Sequence, residues 1–209
     1  MNQKPRLIAS DLEGVFIPEV WINVAEKTGV PDLRLTTRDI KDYNQLMEHR
    51  MAILKKEGIS LSDIQAVIRT IEPLPGATDF LKWVRRESQI IILSDTFYEF
   101  AGPFMQKLDY PALFCHTLIT DTKDMITGYR LRINDSKKKA VEGFTHAGFS
   151  VIAMGDSYND TAMLAEADTG ILFHAPDNVK KDFPQFECID DFITLKDRIA
   201  LLCERSMKC

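Results

Sequence analysis

The chain has no apolar run near the ~20 residues that a membrane-spanning helix needs, and Met1 to Ser10 hold no stretch resembling a secretory leader. It therefore reads as cytoplasmic. A basic block is also missing. Lys137-Lys138-Lys139 is the longest cationic run, and 26 Lys and Arg stand against 31 Asp and Glu, a net charge of −5. Nucleic acid and anionic membrane are excluded as expected partners. The four cysteines, Cys115, Cys188, Cys203 and Cys209, have no metal-type spacing and read as reduced thiols. Cys209 is a candidate for adventitious dimers in air. A homodimer is allowed, but no exposed stripe names an interface. The absence of internal repeats and low-complexity segments excludes solenoids and disordered arrays.

What is present is a set of apolar strands that end in polar, mostly acidic clusters. Leu7-Ile8-Ala9 runs into Asp11-Leu12-Glu13-Gly14-Val15, and Ile90-Ile91-Ile92-Leu93 runs into Ser94-Asp95-Thr96. Val151-Ile152-Ala153-Met154 runs into Gly155-Asp156, with Asp160 four residues on. Burying charge at such places is costly unless a cation or a reaction requires it. Open α/β sheets bind ligands at the carboxyl ends of their strands.

The spacing of apolar residues predicts a strand over 6–11 and only helices between about 18 and 72. These are a helix after Pro18, another over 39–57, and a third introduced by a Ser60/Asp63 capping box. Pro73-Leu74-Pro75-Gly76 is a linker. Beyond it the pattern alternates: helix 77–87, strand 89–93, helix 97–108, strand 112–116, a hairpin over 117–133, helix 137–147 and strand 150–154. A helix from about 159, strand 169–173, helix 177–182, strand 186–189 and helix 190–205 follow. The expected fold is α/β, a doubly wound, mainly parallel Rossmann-like sheet with a small all-helical cap after the first strand. The core would be 1–17 and 75–209, and the cap 18–74.

In an extended segment residues i and i+2 share a side, so Asp11 and Glu13 are expected to face one site. Alone, that pair is as well explained by a solvated loop. Joined by Asp156 and Asp160 it makes an oxygen-rich cluster suited to Mg²⁺ and a phosphate. Mg²⁺ beside a carboxylate suggests phosphoryl transfer through an aspartyl phosphate, with Asp11 as nucleophile and Glu13 as general acid and base. Ser94 and neighbouring N–H groups, taken to start a helix, would bind phosphate, although Ser and Asp also serve as plain N-caps. Lys137 opens a helix, where the dipole does not favour a cation, which makes sense if it reaches an anion. Asp160 would orient waters or Lys137.

In combination these motifs resemble the haloacid dehalogenase superfamily of Mg²⁺-dependent phosphotransferases. The helical insertion is similar to the phosphoserine phosphatase branch. Asp11 to Trp21, Thr36 to Ile40, Leu93 to Phe100, Gly155 to Asp160 and Gly170 to Pro176 resemble, more narrowly, enzymes that also pass phosphate from phosphoserine to homoserine. The resemblance implies phosphoserine and homoserine as substrates. It implies Asp11, Asp156 and the backbone carbonyl of Glu13 on Mg²⁺, with Ser94, Lys137 and Asn159 on phosphate. Glu19 and Arg50 would grip the amino acid from the cap, one meeting an ammonium and the other a carboxylate. Trp21 and Met47 are candidates for the apolar wall, and Arg38 for a surface role. The chain departs from the superfamily at Glu13, where Asp is usual, and at Asp95, where phosphoserine phosphatases commonly have Gly; Asp95 is a further candidate for substrate contact. Two alternatives remain: a phosphatase for another small phosphometabolite, and a signalling receiver phosphorylated at Asp11. The four histidines lack ligand spacing and read as structural.

Overall fold

The computed structural model describes residues 4–36, 39–40 and 42–205, so Arg38 and Cys209 lie outside the described residues. Seven strands form one sheet in the order β4-β3-β2-β1-β5-β6-β7. They are β1 (Arg6–Ser10), β2 (Gln89–Phe97), β3 (Ala112–Thr120), β4 (Ile126–Arg130), β5 (Ser150–Gly155), β6 (Thr169–Phe173) and β7 (Glu187–Ile189). Every pairing is parallel except β3 with β4. β1 lies between β2 and β5, so the chain winds outward from it in both directions. This reversal opens a crevice at the carboxyl ends of β1, β2 and β5.

Each central strand is apolar on both faces, as a sheet covered on both sides requires. Ile8, Ile92, Ile152 and Ile171 enter one buried cluster, whereas Ala9, Leu93, Val151 and Leu172 enter another. The second cluster is closed by α6 (Ser136–His146), α7 (Thr161–Glu166) and α8 (Asp177–Asp182). The first holds α4 (Ala77–Glu87), α5 (Tyr98–Lys107) and α9 (Phe192–Arg205). It continues into the helices between β1 and β2: α1 (Val20–Thr28), α2 (Tyr43–Glu57) and α3 (Leu61–Arg69). Fully burying one side chain such as Phe80 or Phe100 is worth roughly 1.5–3 kcal/mol.

The local signals act as expected. Gly29 and Gly58 end α1 and α2 in the left-handed conformation, and the Ser60/Asp63 capping box starts α3. The entry and exit of this helical segment meet, because Leu74 N–H donates to the Phe16 carbonyl at 2.8 Å. Several boundaries differ from expectation; α2 begins at Tyr43 rather than 39, and β4 ends at Arg130 rather than 133. β2 does not stop at Leu93 but continues to Phe97, so Ser94-Asp95-Thr96 lies on an extended strand and caps no helix. The pieces expected at 112–116 and 117–120 are one strand, because pairing with β4 holds the chain extended after the β2 pairing ends. Among the described residues no helix is long and apolar enough to cross a membrane.

Candidate active site

A cavity of about 100 Å³ opens in the crevice. Asp11, Glu13, Glu19, Arg50, Ser94, Asp95, Lys137, Asp156 and Asn159 all line it. Asp160, expected there too, does not line it and is fully buried.

Asp11 prolongs the β1 edge by donating its N–H to the Met154 carbonyl at 3.0 Å. The chain then turns tightly, with Gly14 N–H donating to the Ile17 carbonyl and Glu13 bridged to Ile17. Asp11 and Glu13 thus share the cavity through a turn rather than an extended strand. Gly14 is required there. Its φ is +74°, and a Cβ would sit 2.4 Å from the Asp156 carboxyl group. Gly155 is similarly confined, by the Asp160 side chain. The two glycines let the β1 and β5 loops close on their carboxylates.

Asp160 organises the β5 loop. Its Oδ2 accepts the N–H groups of Asp156 and Ser157 at 3.0 and 3.1 Å, and its Oδ1 accepts Lys137 Nζ at 2.8 Å. Lys137, only 4% exposed, also meets Asp11 Oδ1 at 3.0 Å and Asp95 Oδ2 at 3.6 Å. Burial opposes its charge, but these three carboxylates hold its pKa well above the usual value. Its neighbours in the Lys run, Lys138 and Lys139, are more exposed.

Burial raises the Asp11 pKa well above the ordinary value, and Asp160 adds to this while Lys137 opposes it. Burial, Asp160 and Glu19 push Asp156 up to about 7. Such a crowd of acids is what a cation would relieve. One carboxylate oxygen each from Asp11, Asp156 and Asp160 lies within 4.8 Å of the others. With Asp160 engaged as described, Asp11 and Asp156 are the carboxylates best placed to hold a metal. The all-oxygen donor set fits Mg²⁺.

Glu13 turns its carboxylate away from that trio. Oε2 accepts Val20 N–H at 2.8 Å, at the start of α1, and the Thr96 hydroxyl also bonds it. Burial and Glu19 push its pKa up to about 7 against these hydrogen bonds and Arg50. Ser94 is buried; its Oγ accepts the Thr96 N–H at 3.3 Å. Burial disfavours the Asp95 charge, but Lys137, His116 and Asn159 outweigh it and hold the carboxylate well below its ordinary range.

Glu19 sits at the N-cap of α1, half-buried. Arg50 is not the surface charge that a mid-helix position suggests, for it is 6% exposed. Its guanidinium lies 4.4 Å from the Trp21 ring centroid, and one Nη donates to the Leu35 carbonyl at 2.7 Å. Burial lowers its pKa to about 10. Its Nε has no hydrogen-bond partner among the described residues. Trp21 lines the cavity, whereas Met47 is core.

Three neighbours were not singled out from the sequence. Thr96 was legible in principle, being two residues from Ser94 on an extended strand and so on the same side. Tyr43 sits on the apolar side of α2, yet its hydroxyl donates to the Asp95 carbonyl at 3.0 Å. His116 contacts Asp95 from β3, and nothing in its local sequence announces this.

A mainly parallel sheet carrying carboxylates after β1 and β5, a buried Ser on β2 and a buried Lys is the arrangement of a phosphoryl-transfer hydrolase. The model of the haloacid dehalogenase-like hydrolases matches residues 6–168, and the chain belongs to that family. It is 53% identical over 197 residues to a phosphoserine phosphatase of Pseudomonas syringae pv. tomato, covering 94% of this chain and 83% of that one. It is 51% identical over 197 residues to phosphoserine phosphatase ThrH of Pseudomonas aeruginosa, covering 94% and 96%. Among solved structures, a phospho-aspartyl intermediate analogue of phosphoserine phosphatase superposes with a TM-score of 0.74 at 21% identity, covering 90% of this chain and 95% of that one. At that identity the likeness supports the fold alone.

Proposed function

We propose that the protein is a Mg²⁺-dependent phosphoserine phosphatase that also passes the phosphoryl group to homoserine, through an aspartyl phosphate on Asp11. The observation that carries the amino-acid substrate is Arg50. A buried guanidinium with an unpartnered Nε lines the cavity that Asp11 and Glu19 also line. One cation and one anion there suit the carboxylate and ammonium of a zwitterion. The two relatives above 50% identity are named for the same substrate. Residues 18–74 act as the cap in this reading, and the Leu74–Phe16 hydrogen bond that closes their ends supports such a unit.

Asp11, Asp156 and the Glu13 carbonyl would hold Mg²⁺, which when bound neutralises phosphate charge. Ser94, Lys137 and Asn159 orient the phosphoryl group. An Asp11 oxygen attacks phosphorus as the bond to the serine oxygen breaks, and Glu13 gives that oxygen its proton. Glu13 then takes a proton from water or from the homoserine hydroxyl, whose oxygen attacks the phosphorus and frees Asp11. A Glu13 pKa near 7 suits both directions at neutral pH. Trp21 keeps Arg50 in place by stacking. The test is product analysis with phosphoserine, with and without homoserine. Serine with phosphate alone supports the phosphatase, and phosphohomoserine adds the transferase. No serine in either case overturns the reading.

A further inference from the structure

His116 lies outside the acidic motifs, on β3, and is 3% exposed. Its Nδ1 accepts the backbone N–H of Arg132 at 3.2 Å. A backbone amide only donates, so the ring is the neutral tautomer with its proton on Nε2. That Nε2 lies 3.5 Å from Asp95 Oδ1, and the Ser136 hydroxyl reaches the same oxygen, also at 3.5 Å. The ring packs edge-on against Tyr43 and is tilted against Phe97, with centroids 6.2 and 6.3 Å away.

The other oxygen of Asp95 faces the phosphate donors. Oδ2 accepts Asn159 Nδ2 at 3.0 Å and stands 3.6 Å from Lys137 Nζ. Lys137 makes closer contacts with Asp11 and Asp160, at 3.0 and 2.8 Å. Asp95 is therefore a resident anion at the donors assigned above to phosphate, held on its far side by a neutral histidine.

We propose that His116 is a positioning residue for the phosphate subsite: it holds the Asp95 carboxylate off Lys137, so that the ammonium stays available to an incoming phosphoryl group. The proposal rests on the reading of Lys137 and Asn159 as phosphate donors. Without the imidazole, Oδ1 loses its polar neighbour from β3, and the half-buried carboxylate moves to the nearest cation. The 3.6 Å gap then closes to an ordinary ion pair, and phosphate must compete with it. The effect passes entirely through the charge of Asp95.

The test is calorimetric titration of the Mg²⁺-loaded protein with inorganic phosphate. His116→Phe, which keeps an aromatic ring between Tyr43 and Phe97, is expected to weaken binding by about tenfold, within the range of coupled neighbours. His116→Gln, which restores an N–H donor, returns to within about twofold of the parent. Asp95→Asn binds phosphate at least as tightly as the parent, and adding His116→Phe to it changes nothing further. Unchanged binding in His116→Phe, or the same loss in the Asp95→Asn background, would overturn the proposal. If His116→Phe does not fold, His116→Met makes the same comparison. Turnover of phosphoserine by the parent is a separate readout. Phosphate binding without such turnover defeats the substrate reading and leaves this inference standing, whereas a parent that binds no phosphate defeats the inference.

Discussion

Gly14→Ala separates the backbone cost of the β1 loop from its effect on the acids. Gly14 has φ +74°, where an alanine costs about 1–2 kcal/mol. In a chain of this length that lowers Tm by about 2–8 °C. The methyl carbon would also lie 2.4 Å from the Asp156 carboxyl group, against the 3.4 Å at which ordinary contact begins. Asp156 must therefore move by about 1 Å, a displacement that costs on the order of 100-fold in rate. Gly29→Ala is the control, because Gly29 has φ +71° and nothing within 4 Å of its would-be Cβ. Thermal unfolding should show a loss in both variants, the larger in Gly14→Ala, whose methyl group also displaces Asp156. Phosphoserine turnover and Mg²⁺ affinity should fall only in Gly14→Ala. If Gly14→Ala keeps turnover within about twofold of Gly29→Ala, Asp156 is not where the chemistry needs it, and the metal assignment fails.

Asp11→Asn should abolish the phosphoenzyme and turnover; substantial residual turnover would remove Asp11 as nucleophile. Arg50→Ala should lower kcat/KM for phosphoserine by a factor equivalent to about 2–5 kcal/mol, as for a truncated buried charge pair. p-Nitrophenyl phosphate, which lacks the amino-acid carboxylate, should be far less affected, and equal losses would make Arg50 structural. The metal-free protein should be less stable at pH 8 than at pH 5.5. Burial raises Asp156 from 3.8, and Glu13 from 4.5, to about 7. The native state therefore binds these protons more tightly than the unfolded chain does, and the associated stability is lost as pH rises through about 7. At about 1.4 kcal/mol per pH unit, each group contributes up to a few kcal/mol. Mg²⁺ at pH 8 should recover most of it in a thermal shift assay, and EDTA should inactivate the enzyme. A metal-free Tm that rises from pH 5.5 to 8 would contradict the account.

The sheet was legible because its strands are buried on both faces and their apolar runs stand clear of the helical pattern, as in Ile90 to Leu93 and Val151 to Met154. Asp11, Glu13, Asp156 and Asp160 stood out because acids after such runs need a reason. Gly14 and Gly155 sat in the same motifs, but only the fold shows which carboxylate each makes room for. The end of β2 was misjudged because Ser94-Asp95-Thr96 has good N-cap chemistry, and pairing between Phe97 and His116 of β3 keeps that stretch extended. Arg50 came only through the resemblance, because its stacking partner, Trp21, lies on another helix and no local spacing marks the pair. His116 and Tyr43 converge on Asp95 from β3 and α2, a meeting that no local spacing encodes. Lys137 gave a partial signal through its place at the start of α6, and the fold supplied its three carboxylate partners.

The central claim is a phosphoryl group carried on Asp11 and taken from phosphoserine. The direct measurement mixes the Mg²⁺-loaded protein with phosphoserine, quenches in acid during the first turnovers, and maps the modified peptide by mass spectrometry while serine and phosphate are counted. The account predicts one phosphoryl group on the peptide containing Asp11, serine released ahead of phosphate, and neither in Asp11→Asn. Serine released with no phosphorylated Asp11 at any quench time, or equally by Asp11→Asn, would contradict it.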